Sequence, residues 1–167
     1  MSCLGVHFAL TEEEAKALQS FEDEQARITY LVEEIEPRYF EEPRSFIAES
    51  DKSWDAMHRA LSDGMLTWTG GTYPLNHTVL GGKRLYFKDD YIVSLKSPEQ
   101  VRDIAKALEA IDAATFRALY NNINAQNYDA DLSEEDFEYT WGWFQGVREL
   151  YASASIDGRF ILFTADQ

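Results

Sequence analysis

The sequence predicts an α+β fold: one small mixed or antiparallel sheet packed by several helices. Three observations carry this. Both ends of the chain read as strands. Several segments between them have helix-start signals and helical apolar spacing. Strands and helices do not alternate as βαβ units, which disfavours a doubly wound parallel sheet. With 167 residues, the chain fits a single domain over 1–167 and is long enough to bury a core.

The elements follow in chain order. Leu4, Val6, Phe8 and Leu10 alternate with Gly5, His7 and Ala9, the period of a strand. Thr11 and Glu14 form a capping box that opens a helix running to Ser20. A second helix spans Glu22 to Glu36, with Ile28, Leu31, Val32 and Ile35 on one face, and Pro37 and Pro43 break it. Ser50 or Asp51 is the expected cap of a helix carrying Trp54, Met57, His58 and Leu61 on one face, ended by Asp63-Gly64. Thr67 to Tyr73 is a loop. Pro74 starts a short helix to Leu80 that Gly81-Gly82 stops. Arg84–Phe87 and Tyr91–Leu95 are short β-rich runs. Ser97, Pro98 and Gln100 start a helix to Ala110, with Val101, Ile104, Ala105 and Leu108 inward. Asp112 caps another, Ala113–Tyr120. Ser133 with Asp136 opens the longest helix, to Ser155, and Asp157-Gly158 turns into a last strand, Arg159–Thr164.

Thirty acids against fifteen bases give a net charge of -15. Residues 1–50 carry a net -8, residues 51–128 are neutral, and residues 129–167 carry -7. This balance excludes a nucleic-acid binder that works by neutralising phosphates. Four Trp, nine Tyr and ten Phe exclude a long disordered chain. No apolar run reaches the ~18 residues of a membrane span, and no membrane partner is expected. The single cysteine, Cys3, excludes a disulfide scaffold and an all-Cys zinc site. The first residues lack a basic n-region, so a cytoplasmic protein is expected.

Catalytic signatures are sparse. Only His7, His58 and His77 offer imidazoles, and no zinc-type spacing joins them. Gly81-Gly82-Lys83-Arg84 lacks the spacing of a phosphate loop. No cofactor and no metal are expected. His58 and His77 read first as packed core histidines. The alternative is a pocket shared by Trp54, Asp55, His58 and His77, where an imidazole beside a carboxylate holds a proton near neutral pH. Gly142 and Gly146, inside the long helix, read as sites of close packing or a bend. Phe137, Tyr139, Trp141, Trp143 and Phe144 are too many for one buried stripe, so some of this series is exposed or covers a second element and is a candidate part of a partner surface.

Two blocks carry a resemblance. Asp51-Lys52-Ser53-Trp54-Asp55-Ala56-Met57-His58-Arg59-Ala60-Leu61, ending at Gly64, resembles the DKxWxxLHxLLxG segment of the YfbM-like proteins, the bacterial DUF1877 family of unknown function. Pro74-Leu75-Asn76-His77-Thr78-Val79-Leu80-Gly81-Gly82 is similar to that family's PLxxAILGG signature. Met57 and Ala60 stand where the family has Leu, Thr78 where it has Ala, and Val79 where it has Ile. The Ser97–Tyr120 region and the pattern Phe144, Leu150, Tyr151, Ala154, Gly158 resemble its later blocks. The resemblance implies a compact α+β fold with a small sheet and no assigned activity.

Two readings of function remain. The first is an acidic interaction module, an immunity protein that binds and neutralises a cognate toxin with a basic domain. Its contact candidates are the acidic segments 12–24, 33–42 and 129–138, chiefly Glu12, Glu13, Glu22, Asp23, Glu24, Glu33, Glu34, Glu134, Glu135, Asp136 and Glu138. The plainer reading of the same acids is a set of solvated helix faces that keep the protein soluble. The second is a small-ligand binder or enzyme built on the Trp54, Asp55, His58 and His77 pocket. Sequence alone leaves the oligomeric state open.

Overall fold

The computed structural model describes residues 3–166. Its centre is a five-stranded antiparallel sheet built from β1 (Gly5–Leu10), β2 (Ile47–Asp51), β3 (Lys83–Arg84), β4 (Tyr91–Lys96) and β5 (Phe160–Asp166). The strand order is β2-β1-β5-β4-β3, so the two terminal segments pair at the middle. Gly5 lies opposite Ala165 and Leu10 opposite Phe160.

Helices cover both faces. Strand side chains alternate between faces, and here each set meets a core. Phe8, Leu10, Val93, Leu95 and Leu162 pack against α1 (Glu12–Ser20), α2 (Glu24–Tyr30) and their continuation. Ala9, Ile92, Ile161, Phe163 and Ala165 pack against α4 (Trp54–Leu61), α5 (Pro98–Glu109), α6 (Ala113–Tyr120) and α7 (Glu134–Asp157). Each large side chain buried this way stabilises the fold by roughly 1.5–3 kcal/mol before chain entropy is counted. Two-sided burial explains why polar positions of β1 and β4, such as His7 and Lys96, lie inside the molecule.

The helix signals hold where they rest on capping chemistry. Thr11 with Glu14, and Ser97 with Gln100, form complete capping boxes. Asp112 and Ser133 accept the expected N–H bonds from Thr115 and Asp136. Four expectations need correction. Pro37 does not end the second helix. After α2, a π turn over Leu31–Ile35 lets Glu36 N–H donate to Leu31 O, five residues back, and the helix continues as α3 (Glu36–Phe40). The wider turn accommodates a ring that would strike the carbonyl four residues earlier in a regular helix. The segment after Pro43 is not only a break: Ile47–Asp51 adds an edge strand. The cap position of α4 is Ser53, not Ser50 or Asp51, and its side chain makes no capping bond. The Pro74–Leu80 segment is a single 3₁₀ turn, Leu75–His77, that runs into further turns.

The aromatic series on α7 divides as its size requires. Phe137 and Phe144 are buried, whereas Tyr139 and Trp143 are exposed. Gly146 faces Ala48 at an ordinary 4.0 Å from where its Cβ would stand, and a Cβ on Gly142 would meet nothing within 4 Å. Neither glycine is demanded by a neighbour. Gly142→Ala is therefore expected to raise the unfolding free energy by about 0.5–1 kcal/mol, the helix-propensity difference. Denaturant unfolding of the variant checks this, and a lowered midpoint would refute it.

Candidate functional site

The Thr78–Gly81 segment ends a helical turn inside the protein, away from the water that would otherwise donate to its carbonyl oxygens. Side chains from three elements donate to them instead. His7 Nε2 on β1 donates to Thr78 O at 2.8 Å, and the Tyr151 hydroxyl on α7 donates to the same oxygen at 2.7 Å. Lys96 Nζ on β4 donates to Val79 O. Ser94 Oγ donates to Leu80 O at 2.7 Å and lies 3.1 Å from Gly81 O. Gly82 closes the segment at φ +125°, where a Cβ would stand 2.7 Å from Leu95 O.

His58 ties this turn to the loop before it. Its Nε2 donates to Thr67 O at 2.8 Å, and its Nδ1 accepts from Leu80 N–H at 3.5 Å. A carbonyl only accepts and an amide N–H only donates, so the ring is neutral with its proton on Nε2. Burial pushes the pKa of His58 down to about 4. Burial, aided by the charge of Lys96, pushes that of His7 down to about 3. Burial also drives Lys96 well below the ordinary lysine value. His77 is less enclosed. Its Nδ1 is 2.7 Å from Asn76 Oδ1, and its ring meets Tyr73 edge-on.

Trp54 and Asp55 share a cavity of about 480 Å³ with Cys3, Leu66, Tyr128 and neighbouring residues, but neither His58 nor His77 lines it. Trp54 Nε1 donates to Cys3 O at 2.7 Å. Asp55 accepts from the buried Arg59 at 2.5 Å. Burial raises the Asp55 pKa; Arg59 opposes the shift, and the charges of Asp129 and Asp136 add to it. Arg59 also donates to the carbonyls of Asn124, Gln126 and Asn127 at 2.8–3.2 Å, clamping that loop to α4.

A second cavity, of about 370 Å³, opens where β1 and β4 begin and β2 and β5 end. Val6, Glu49, Tyr91 and Thr164 form its floor on the face that α1 to α3 cover only in part. Val32, Glu36 and Phe40 line one wall at four-residue spacing along the helix that the π turn extends. Trp143 reaches it from α7 past the edge strand β2. Leu4, Val32, Phe40 and Trp143 are four of the nine exposed large apolar side chains among the described residues. Glu36, Glu49, Asp51 and Asp166 ring them, and among the described residues no Lys, Arg or His lines the cavity. The Tyr91 hydroxyl donates to Glu36 at 2.6 Å, Tyr139 donates to Asp51 at 2.7 Å, and Leu4 N–H donates to Asp166 at 3.1 Å. Burial raises the Glu36 pKa; the Tyr91 bond opposes the shift and the Asp166 charge adds to it. The cavity therefore offers apolar walls to an organic body and negative potential to a cation.

The acids singled out in sequence divide into two sets. Asp23 caps α2, and Glu24 accepts from Phe87 N–H at 3.1 Å. Glu12 pairs with Lys16 at 3.0 Å, and Glu134 with Arg117 at 2.5 Å. Asp136 accepts from Tyr120 and Tyr128 at 2.5 and 2.8 Å. Glu13, Glu22, Glu33, Glu34, Glu135 and Glu138 are exposed. Among these acidic runs, 33–36 supplies a carboxylate to the cavity lining, Glu36.

The family model for DUF1877, a domain of unknown function, matches residues 1–164. The chain belongs to the DUF1877 family. Its structure is similar to that of YfbM from Escherichia coli, a protein of unknown function, with a TM-score of 0.65 at 18% identity over 97% of this chain and 99% of that one. No curated protein matches the chain. The two blocks that resemble the DUF1877 signatures meet in the core through His58 and Leu80. Both serve there as structure. Among the described residues no helix is long and apolar enough to cross a membrane.

Glu36 falls in the acidic segment 33–42 and Trp143 in an aromatic series too large for one buried stripe, whereas Glu49, Asp51, Tyr91 and Asp166 carry no site signal in the sequence. The last four lie on β2, β4 and β5, which sheet pairing brings together, and packing of α3 adds Glu36.

The neutral histidines set a pH dependence. Both have folded-state pKa values below the unfolded value near 6.5, so the unfolded chain binds protons first. Their stabilisation is complete above about pH 6.5 and is lost as pH falls toward about 4 for His58 and about 3 for His7. From pH 7 to 5 the protein is expected to lose about 4 kcal/mol, about 2 per histidine. Denaturant titrations at the two pH values test this, and an unchanged midpoint would contradict it.

Proposed function

We propose that this chain is an acidic interaction protein that captures a basic protein partner, acting as an immunity protein against a cognate bacterial toxin. One observation carries the reading: in a chain of net charge -15, exposed apolar side chains gather in a cavity ringed by carboxylates, with no basic side chain among its described lining residues. Apolar residues enclosed by a polar rim are the anatomy of an interface centre. The exposed acids on α1 to α3 and at the start of α7 add a long-range field that speeds encounter with a basic surface. A second reading places a small ligand in the Trp54 and Asp55 cavity, supported by its volume of about 480 Å³ and its mix of indole, carboxylate and phenol groups.

The test is co-expression with the neighbouring open reading frame. The neighbour alone is expected to stop growth, and this chain to restore it and co-purify with the neighbour. A harmless neighbour and no co-purification would remove the reading. With a partner in hand, Glu33→Lys with Glu34→Lys is expected to slow association roughly tenfold at low salt and to flatten its salt dependence. Association rates unaffected by these changes and by salt would refute steering.

A further inference from the structure

The carboxylates at the sheet-end cavity ring the opening instead of converging. Among the described residues, no group of three or more His, Cys, Asp or Glu side chains is placed to hold a metal ion. A compact point charge is therefore poorly matched to the site. A side chain beside the cavity displays a better match. Arg44 lays its guanidinium 5.0 Å from the centre of the Phe40 ring and bonds Glu49 at 3.1 Å. Phe40 and Glu49 both line the cavity. The chain's own arginine thus already uses one aromatic face and one acid of the ring.

The remaining acids and walls repeat that chemistry further in. Glu36, held by Tyr91, feels the charge of Asp166, and Val32 and Trp143 supply apolar surface nearby. A guanidinium carries five donors in a planar fork, stacks on aromatic faces and is weakly hydrated. A lysine ammonium presents its donors from one strongly hydrated point. We propose that the cavity takes one arginine side chain of a basic protein partner, its head between Glu36 and Asp166 and its stem against Val32 and Trp143. The biological setting rests on the interaction reading above, but the binding chemistry does not.

The test is an NMR titration of the full ¹⁵N-labelled chain with N-acetyl-argininamide, run beside N-acetyl-lysinamide and free arginine. Saturable shifts are expected at the amides of Val6, Val32, Glu36 and Thr164, with the lysine analogue several-fold weaker. Free arginine is expected to bind more weakly than the amide, because the acidic ring repels its carboxylate. Glu36→Gln preserves an acceptor for Tyr91, and Asp166→Asn preserves shape. Each is expected to weaken binding roughly tenfold or more, with the remaining spectrum unchanged.

Three results would overturn the proposal. One is no saturable shift at the cavity. Another is equal binding of the lysine analogue, or shifts spread over the acids at 12–24 and 134–138, which marks general charge attraction. The third is tighter binding of free arginine, which assigns the cavity to a metabolite. The two readings fail separately. A co-purified partner that binds the Glu36→Gln chain as tightly as the parent removes the arginine anchor and leaves the interaction reading standing. Specific argininamide binding with a harmless neighbour and no co-purification does the reverse.

Discussion

Four consecutive buried carbonyl oxygens, Thr78 to Gly81, impose the constraint on which this structure is organised. A buried carbonyl without a donor is destabilising by a few kcal/mol. The chain supplies donors from β1, β4 and α7, elements distant in sequence. Those bonds are possible only when the sheet pairs in its observed register and α7 lies across it. The polar centre thereby makes the assembly specific, because a slip of one residue in β4 would turn Ser94 and Lys96 to the opposite face.

Two-sided covering of the sheet has a further result. Helices α4 to α7 cover one face and α1 to α3 the other, and α1 to α3 leave the sheet open at the cavity where the strands begin and end. What remains uncovered is the end where four strands begin or finish. Apolar side chains stay exposed there, and carboxylates from separate elements collect around them. The same topology thus produces both a rigid core and an incomplete surface.

Local chemistry was legible in the sequence and long-range assembly was not. Thr11 with Glu14, Ser97 with Gln100, Asp112 and Ser133 announced their helices, because a cap bonds to an amide only three residues away. Pro37 misled, because its steric demand has two solutions, ending a helix or widening one turn, and only packing of Leu31 and Ile35 into the core selects the second. Strand β2 escaped notice because Ile47–Asp51 is short and half polar, as an edge strand usually is. Trp54 and Asp55 did meet at a cavity. The imidazoles of His58 and His77 went elsewhere, His58 drawn by backbone partners that no spacing rule reveals.

The π turn over Leu31–Ile35 makes the cavity wall depend on residue count as well as on residue type. A helix rotates about 100° per residue. Straightening the turn into regular α geometry with every residue kept would swing everything after it by that angle. Phe40 would leave the wall on which Val32 stands, and Tyr39 would lose its place 2.6 Å from Glu14 and 3.0 Å from Ala9 O. Pro37 would meet the carbonyl that the wide turn now avoids. In related chains, a residue gained or lost along this helix where no wide turn absorbs it would reshape the opening even where every lining side chain was kept.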